Sequence, residues 1–416
     1  MSTSKHTLRR PAHHADDCGT KFINPWPSAR APTWAELLQA SFPLSTYASN
    51  LHKHHKARDV RVVKPDWGMA SLKKQNLSRS NAIVGTWLGH AGAMVEIPSL
   101  SPSPSLEGRG TWLLFDPIFS TRAGPTPYSG VARMKKSPCQ VEDLPGCDAV
   151  FISHNHYDHL DWPTIQLITQ RFPKAKYFVP LGNKQWMLSG GIPDKQIYEL
   201  DWWQDCELGA SDFDAQSGGE FVLRVSCVPA QHNSGRSVID QGCTLWCGWV
   251  VERFLSSKAE SAGPISNDTR RGAIYHAGDT GYRRIKTSEA VCPVFKEIGD
   301  KFGPLDLSFV PIWRGGTLGF ISYLGLRLSH EDVPSASHGS PADAIAIHRD
   351  VKSRNTVGMH FGTFIGTENE SYEAMIELSR ACDEQGVDDL NCSSENGQSG
   401  RAGTLDIGES LAVATS

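Results

Sequence analysis

The sequence lacks three features that would assign it to a common class of protein. No stretch of the 416 residues approaches about eighteen apolar residues, so we expect no membrane-spanning helix, although peripheral contact with a membrane stays open. The 41 Lys and Arg residues against 45 Asp and Glu residues leave a formal net charge of −4, which gives no electrostatic case for a nucleic-acid partner. No G-x-S-x-G motif is present, so a serine nucleophile of the α/β-hydrolase kind is not indicated.

The ten cysteines form no C-x-x-C pair, and the charged first twenty residues have no apolar core of the kind found in secretory signals. We therefore favour an intracellular protein with reduced cysteines. The segment Lys5-His-Thr-Leu-Arg-Arg10 lacks acidic residues, but Asp16 and Asp17 follow soon after, so it gives only weak support to mitochondrial targeting. The sequence does not fix the oligomeric state, and a homodimer stays open.

Composition divides the chain into three regions. Residues 1–80 are polar and rich in Lys, His and Pro, and we expect an N-terminal extension that packs partly on the core. Residues 81–386 contain about ten short β-branched or aromatic segments separated by Gly, Pro and Asp, which predict strands. Helical periodicity over 162–172, 340–351 and 371–382 places helices among them, which predicts an α/β sandwich with helices outside two packed sheets. Residues 387–416 are rich in Ser, Gly and Asn and predict a tail that is mobile at its end.

A dense cluster of metal-ligand side chains follows the apolar segment 149–153. His154, His156, Asp158 and His159 form an H-x-H-x-D-H pattern where a strand would end in a loop. Buried imidazoles and carboxylates are costly without partners, so core packing does not explain this density, and a surface histidine run is the alternative. Imidazole nitrogen with carboxylate oxygen suits zinc or a similar divalent ion. Because residues two apart on an extended segment share a side, His154 and His156 can hold one ion, while Asp158 and His159 reach a second.

Three further ligand candidates lie at the ends of other predicted strands. His232, Asp279 and His360 each end an apolar segment, so all three could converge on one rim of the sandwich. Any one of them alone would be read more readily as a loop residue. Together with the H-x-H-x-D-H pattern they predict a two-metal site, in which an activated water replaces a serine or cysteine nucleophile.

Several other segments accompany these ligands and make the pattern more specific. They include Asn24-Pro-Trp-Pro27, Leu200-Asp-Trp-Trp203 and Ala277-Gly-Asp-Thr-Gly-Tyr282. With them, the chain resembles the N-acylphosphatidylethanolamine-hydrolysing phospholipase D family of the metallo-β-lactamase superfamily, in order over residues 20–370. The H-x-H-x-D-H pattern alone identifies only the superfamily.

The resemblance implies an αββα sandwich that binds two Zn²⁺ ions and hydrolyses N-acylphosphatidylethanolamine to an N-acylethanolamine and phosphatidic acid. It places His154, His156 and His232 on the first zinc and Asp158, His159 and His360 on the second, with Asp279 bridging. A bridging hydroxide would attack phosphorus in line. Asp158 would also be catalytic, because it can orient the proton of the nucleophile. His338 matches a family position close to the reacting phosphate, where a catalytic role and a packing role stay equally open.

Other residues leave alternatives open. His90, Asp161 and His276 could orient the metal ligands or serve packing alone, and we expect His13, His14 and the histidines at 52–55 to be solvated. An apolar, Gly-rich stretch that begins at Trp313 and ends at Leu328 is the candidate substrate-binding loop, with a buried connector as the alternative. It departs from the animal enzymes of the family, which leaves acyl-chain and head-group preference unsettled.

Two other functions compete with the phospholipase. The first keeps the fold and changes the substrate to another ester, lactone or phosphodiester. The second is a metal-binding scaffold without turnover, which is disfavoured because all seven expected ligands are present.

Overall fold

The computed structural model describes most of the chain and leaves several segments aside. The described residues are 10–31, 33–39, 46–98, 110–209, 212–213, 221–255, 269–313, 324, 326–327, 335–364, 366–391 and 399–415.

The strands are short and, in the centre of both sheets, almost wholly buried. They are β1 (Ala82–Gly89), β2 (Gly92–Ile97), β3 (Thr111–Phe115), β4 (Arg122–Ala123), β5 (Val131–Ala132), β6 (Ala149–Phe151), β7 (Lys176–Pro180), β8 (Ile197–Leu200), β9 (Asp205–Gly209), β10 (Phe221–Val228), β11 (Gly248–Leu255), β12 (Arg270–His276), β13 (Leu307–Pro311), β14 (Asn355–Met359), β15 (Asp388–Asp389), β16 (Arg401–Gly403) and β17 (Ser410–Ala414). The helices are α1 (Trp34–Gln39), α2 (Met69–Gln75), α3 (Trp162–Arg171), α4 (Lys184–Ser189), α5 (Val294–Phe302), α6 (Pro341–Asp350) and α7 (Glu368–Gln385).

Two mixed sheets face one another. The first has the order β17-β1-β2-β3-β6-β7-β8, antiparallel up to β3 and parallel from β3 to β8. The second has the order β15-β16-β14-β13-β12-β11-β10-β9, antiparallel from β9 to β12 and parallel from β12 to β15. β4 and β5 form a separate hairpin.

The core between the sheets is built from stacked aromatic side chains. Phe115, Phe151 and Phe178 lie on three neighbouring parallel strands, with ring centroids 4.6 and 4.7 Å apart. Trp249 of the opposite sheet meets the Phe151 ring edge-on at 5.7 Å. Burying each such side chain stabilises the fold by about 1.5–3 kcal/mol. A Cβ at Gly85 would lie only 2.6 Å from the Leu307 side chain, so the absence of a side chain at Gly85 leaves room for Leu307 of the opposite sheet.

Helices cover the outer faces and complete the αββα sandwich, so the predicted fold class is confirmed. Ile165 and Ile168 of α3 pack on the outer face of the first sheet, and α6 packs against β13 and β14 of the second. α6 begins as the sequence predicts, because Ser340 Oγ accepts the Asp343 amide hydrogen at 3.2 Å while Asp343 accepts the Ser340 amide hydrogen at 2.9 Å. α7 is longer at both ends than the predicted helix over 371–382.

The C-terminal region differs from the predicted mobile tail. β17 pairs antiparallel with β1, from Ala82↔Ala414 to Thr86↔Ser410, and β16 pairs parallel with β14. The side chains of Thr86 and Ser410 are joined by a hydrogen bond of 2.8 Å. The composition of residues 387–416 is polar on average, but Leu411-Ala-Val413 is an apolar run that the sheet edge buries. The boundary at 386 therefore does not separate an independent tail from the sandwich.

The N-terminal region contributes to the core in places. Phe22 and Val60 are buried in the main hydrophobic cluster. Arg61 reaches the C-terminal region, where its guanidinium lies 2.7 Å from Asp406. These contacts join residues near both ends of the chain to one sandwich.

The carboxyl ends of β6, β10, β12 and β14 meet at one edge of the sandwich. In open α/β sheets this is the edge at which ligands bind. Among the described helices, none combines the length and the apolar character that crossing a bilayer requires.

Candidate metal centre

Four strand ends bring all seven predicted ligands to this edge. His154, His156, Asp158 and His159 follow β6, His232 follows β10, Asp279 follows β12 and His360 follows β14. A turn after β6 separates the two pairs of the H-x-H-x-D-H pattern, because the amide nitrogens of His159 and Leu160 both donate to the His156 carbonyl.

The first group consists of three imidazoles. His154 Nε2 lies 2.8 Å from His156 Nδ1, and His232 Nε2 lies 3.4 Å from the same atom. Burial, followed by the neighbouring imidazoles, holds the pKa of His154 well below its ordinary value, and burial does the same for the pKa of His232. Both rings are therefore neutral near pH 7, which is the state that binds a metal.

The second group consists of Asp158, His159 and His360, and His90 lies beside it. His90 Nε2 is 2.8 Å from Asp158 Oδ2, and its ring centroid is 4.1 Å from that of His360. Burial alone would raise the pKa of Asp158, but His159 and the hydrogen bond with His90 keep that pKa below its usual value. Asp158 is thus ionised and a competent metal ligand.

Asp279 lies between the two groups. Its Oδ1 is 3.0 Å from His360 Nε2, while its Oδ2 is 3.2 Å from His159 Nε2 and 3.6 Å from His232 Nε2. One carboxylate therefore faces ligands of both groups, which is the placement expected of a bridging ligand.

The centre contains polar atoms that the protein leaves unsatisfied. Within the described part of the chain, His159 Nε2, His360 Nε2 and Asp279 Oδ1 are buried and make no hydrogen bond, because the 3.0 Å approach of His360 Nε2 to Asp279 Oδ1 lacks hydrogen-bond geometry. Such atoms cost free energy unless a partner satisfies them. A divalent cation among imidazole nitrogens and carboxylate oxygens supplies that partner, so the residues fit a metal of the zinc type.

Asp116, to which sequence reasoning assigned no role, orients one of the ligands. It is fully buried at the end of β3, and its Oδ2 is 2.8 Å from His159 Nδ1. It also accepts the amide and hydroxyl hydrogens of Ser153, at 2.7 and 2.6 Å. A carboxylate behind a ligating imidazole fixes the orientation of the ring. Its position at a strand end next to β6 is the signal that could have identified it.

The backbone is strained at three residues of this edge. His90, Asp116 and His360 have left-handed φ angles of 53°, 38° and 66°. Non-glycine residues adopt this conformation at a cost, and such costs concentrate at functional sites.

The remaining sequence candidates divide into two sets. His90 contacts the ligands, as described above. His276 instead donates from Nε2 to the Ala91 carbonyl and stacks on Phe115, and Asp161 accepts hydrogen bonds from Ser120 and Thr164 at the start of α3, so these two serve packing.

His338 stands at the mouth of the centre. Its Nε2 lies 3.9 Å from Asp279 Oδ2, and its side chain is 15% exposed. Burial lowers the pKa of His338 to about 4, so the ring is neutral near pH 7. A neutral imidazole at this position can donate a hydrogen bond to a bound oxygen.

The candidate substrate loop lies largely outside the described residues. Of that stretch, Trp313, Leu324, Leu326 and Arg327 are described. Trp313 is buried, with its ring 6.1 Å from that of His360, whereas Leu324 is 73% exposed.

The expectation that His13 and His14 are solvated is wrong. Both side chains bond Asp201, because the segment that carries them folds back onto the turn after β8. The histidines at 52, 54 and 55 are exposed, as expected.

Comparisons with known proteins place this geometry in context. A family model described as a β-lactamase superfamily domain matches residues 111–361, a span that contains all seven predicted ligands. A Caenorhabditis elegans protein named N-acyl-phosphatidylethanolamine-hydrolyzing phospholipase D 1 is 30% identical over 329 residues, which cover 78% of this chain and 77% of that protein. A Saccharomyces cerevisiae protein with the same activity in its name, and named as mitochondrial, is 28% identical over 257 residues, which cover 62% of this chain and 45% of that protein.

Among solved structures, Igni18, a metallo hydrolase from the archaeon Ignicoccus hospitalis, is similar with a TM-score of 0.47 and 17% identity. The match covers 80% of this chain and 98% of that chain.

Proposed function

This chain belongs to the N-acyl-phosphatidylethanolamine-hydrolysing phospholipase D family of the metallo-β-lactamase superfamily and is a metal-dependent hydrolase, and we propose that it hydrolyses N-acylphosphatidylethanolamine to an N-acylethanolamine and phosphatidic acid. The observation that carries the proposal is the placement of Asp279, whose Oδ1 lies 3.0 Å from His360 Nε2 of the second group and whose Oδ2 lies 3.6 Å from His232 Nε2 of the first. A centre built in this way suits two ions and a phosphodiester.

We propose that both ions are zinc. His154, His156 and His232 would hold the first, and Asp158, His159 and His360 the second, with Asp279 shared. When bound, the pair would lower the pKa of a water molecule and neutralise charge on the phosphoryl oxygens.

The protein's own groups orient the reaction. Asp158, fixed by its 2.8 Å hydrogen bond with His90, accepts a hydrogen bond from the attacking water and so directs it in line with the scissile P–O bond. His338 reaches over the centre from the side of Asp279 and donates a hydrogen bond to a phosphoryl or leaving-group oxygen. The attack on phosphorus breaks the bond to the ethanolamine oxygen, which takes up a proton released by the attacking water as N-acylethanolamine leaves.

A lipid substrate requires contact with a bilayer, and an exposed apolar turn stands beside the metal centre. Val238 and Ile239 are 94% and 89% exposed. Asp240 fixes their turn by accepting the amide hydrogens of Arg236 and Ser237 at 2.9 and 2.7 Å. A rigid turn that presents two aliphatic side chains to solvent can enter an interface without first losing conformational entropy.

This apolar turn is attached to the ligand loop itself. The Gly235 amide donates to Asn155 Oδ1 at 2.7 Å, and the Arg236 guanidinium donates to the Asn155 carbonyl at 2.6 Å. Arg236 also lies over the Tyr157 ring at 4.4 Å. Since Asn155 and Tyr157 flank His156, contact of Val238 and Ile239 with a bilayer would bring the metal centre to the lipid head groups.

A third exposed apolar residue lies on the β4–β5 hairpin. The Tyr157 ring packs against the cluster of Ile118, Ala123 and Phe364, to which this hairpin contributes Ala123, and the connecting loop of the hairpin presents Tyr128 with 91% exposure. Aromatic side chains of this kind favour the interfacial region of a bilayer. We therefore propose peripheral binding through the apolar turn at Val238 and Ile239 together with Tyr128.

The cellular membrane concerned is a separate proposal. The yeast relative is named as mitochondrial. Together with the acid-free segment Lys5-His-Thr-Leu-Arg-Arg10, this name supports a mitochondrial location. Imaging of the full chain with a C-terminal fluorescent tag tests it, and a signal that never overlaps a mitochondrial marker would contradict it.

A panel of substrates tests the activity. The zinc-loaded protein is incubated with vesicles that contain N-acylphosphatidylethanolamine, with vesicles of unmodified phosphatidylethanolamine, with a soluble phosphodiester and with a lactone. We expect phosphatidic acid and N-acylethanolamine from the first at the highest kcat/KM. Preferential turnover of the lactone or of the soluble phosphodiester would show a hydrolase of another substrate class.

A further inference from the structure

A third group of metal-ligand side chains lies outside the metal centre. His13 Nε2 is 2.7 Å from Asp201 Oδ1, and His14 Nε2 is 2.8 Å from Asp201 Oδ2. The three side chains are between 9% and 13% exposed, and their ligand atoms all lie within 4.8 Å of one another. None of them contributes to the two groups around Asp279.

The fold holds these side chains in place before any ligand arrives. The His13 ring stacks on Trp202 at a centroid distance of 4.3 Å, and Trp202 stacks on Trp26 at 5.4 Å. The His13 and His14 rings are nearly perpendicular, at 88°, which lets two adjacent imidazoles direct their Nε2 atoms to one carboxylate. A site whose ligands are fixed by packing loses little entropy when an ion binds.

We propose that His13, His14 and Asp201 form a further divalent-metal site, for zinc or a similar first-row ion. Two imidazole nitrogens and one carboxylate are the donor set that zinc takes when three protein ligands and water complete its coordination. The nitrogen–oxygen distances of 2.7 and 2.8 Å are close to the shortest of the 2.8–3.6 Å separations between facing ligand atoms in the metal centre.

An ion at this position would act on the metal centre through the N-terminal segment. Asn24 Nδ2 donates to the His232 carbonyl at 2.7 Å, and Ser28 Oγ donates to Gln231 Oε1 at 2.5 Å. The residues that follow His13 and His14 therefore support the backbone of a ligand of the first group. The ion would join this segment to the turn after β8 and so keep Asn24 against His232.

The competing state has the same side chains joined by two hydrogen bonds and no ion. Metal counting separates the two states. The variant His13→Gln/His14→Gln retains amide donors that can bond Asp201 but removes the imidazole ligands. We expect the number of zinc ions per chain, measured after dialysis of the zinc-loaded protein, to fall by about one.

A matched control is available within the chain. His54 and His55 are also adjacent, with ring centroids 4.6 Å apart, but they are exposed and belong to none of the candidate ligand groups found among the described residues. The variant His54→Gln/His55→Gln should keep the metal count of the unsubstituted protein. An equal count in the His13→Gln/His14→Gln variant, with circular dichroism unchanged, would overturn the proposal.

A second measurement uses the unsubstituted protein and so does not depend on the folding of a variant. Crystals of the zinc-loaded protein are measured on both sides of the zinc absorption edge. We expect an anomalous peak among His13, His14 and Asp201, separate from any peak beside Asp279. Absence of that peak, with the side chains still in hydrogen-bond contact, means that no ion is bound there, and it leaves the proposed hydrolysis untouched.

Discussion

The metal centre and the His13–His14–Asp201 group use the same donor atoms, but the chain assembles them differently. In the metal centre, four of the seven predicted ligands fall within six positions after β6, and the others follow strands of the opposite sheet. In the second group, two histidines on an irregular segment meet an aspartate 188 residues away. A metal centre at a sheet edge can thus be recognised from the spacing of its ligands in the sequence. A group formed by a loop can be recognised only when the tertiary contacts are known.

The largest expected difference between the two groups is the loss of hydrolysis when one of their histidines is replaced. We expect His154→Ala to reduce hydrolysis to background, because one ion loses a ligand that is buried and neutral. His13→Gln should cause only a partial loss, since it acts through the support of His232. Turnover of N-acylphosphatidylethanolamine vesicles measures both, with His55→Gln as the control that keeps full activity. Normal turnover by His154→Ala would refute the assigned centre.

A smaller effect is expected from the carboxylate that orients His159. Asp116→Asn keeps the shape of the side chain but weakens its bond to His159 Nδ1, so we expect a loss of about 10–100-fold in metal affinity or in kcat/KM. Addition of excess zinc should restore part of the activity if affinity is what fell. If the variant retains both affinity and kcat/KM, Asp116 has no role beyond the fold.

The apolar turn should affect lipid substrates alone. Val238→Asp/Ile239→Asp removes two exposed aliphatic side chains, and we expect binding to vesicles and hydrolysis in vesicles to fall by about tenfold or more. Hydrolysis of a soluble phosphodiester should not change. Met69→Asp is the matched control, because Met69 is 66% exposed but lies away from the metal centre. It is on α2, which packs near the beginning of β1, whereas the metal centre is reached by His90 at the end of β1. Equal loss in both variants would mean that the effect is one of general surface charge.

The smallest effect that we expect is a change with pH in the free energy of unfolding of the metal-free protein. Burial, followed by the charge of His360, lowers the pKa of His90 to about 4 in the folded state. As pH falls below about 6.5, His90 binds a proton in the unfolded chain but not in the folded chain. The free energy of unfolding should therefore fall by about 1–3 kcal/mol between pH 6.5 and 4. Urea unfolding at several pH values measures this slope, and His90→Gln should reduce it. A free energy of unfolding that rises over this window would contradict the assignment of a buried, neutral His90.

Much of the sandwich could be predicted because its strands are short, apolar and separated by turn residues. The helix predicted over 340–351 is α6, and its start needs no tertiary partner, since Ser340, Pro341 and Asp343 form a local capping sequence. The pairing of β17 with β1 could not be predicted from composition. The apolar run that forms β17 is brief, and its partner lies more than 300 residues away in sequence.

In the metal centre, too, some residues could be predicted from the sequence and others could not. The H-x-H-x-D-H pattern indicated its ligands, but the residues that orient them, Asp116 and Asn24, act through contacts with a neighbouring strand and a distant loop. His13 and His14 were misjudged for a related reason. Their burial depends on Trp202 and Asp201, and nothing in their own neighbourhood indicates it.

Hydrolysis of N-acylphosphatidylethanolamine vesicles in ¹⁸O-labelled water by the zinc-loaded protein tests the central claim most directly. Attack of water on phosphorus predicts that the label appears in phosphatidic acid and is absent from N-acylethanolamine. Label in the N-acylethanolamine, or no turnover of this lipid by protein with a fully loaded metal centre, would contradict the account.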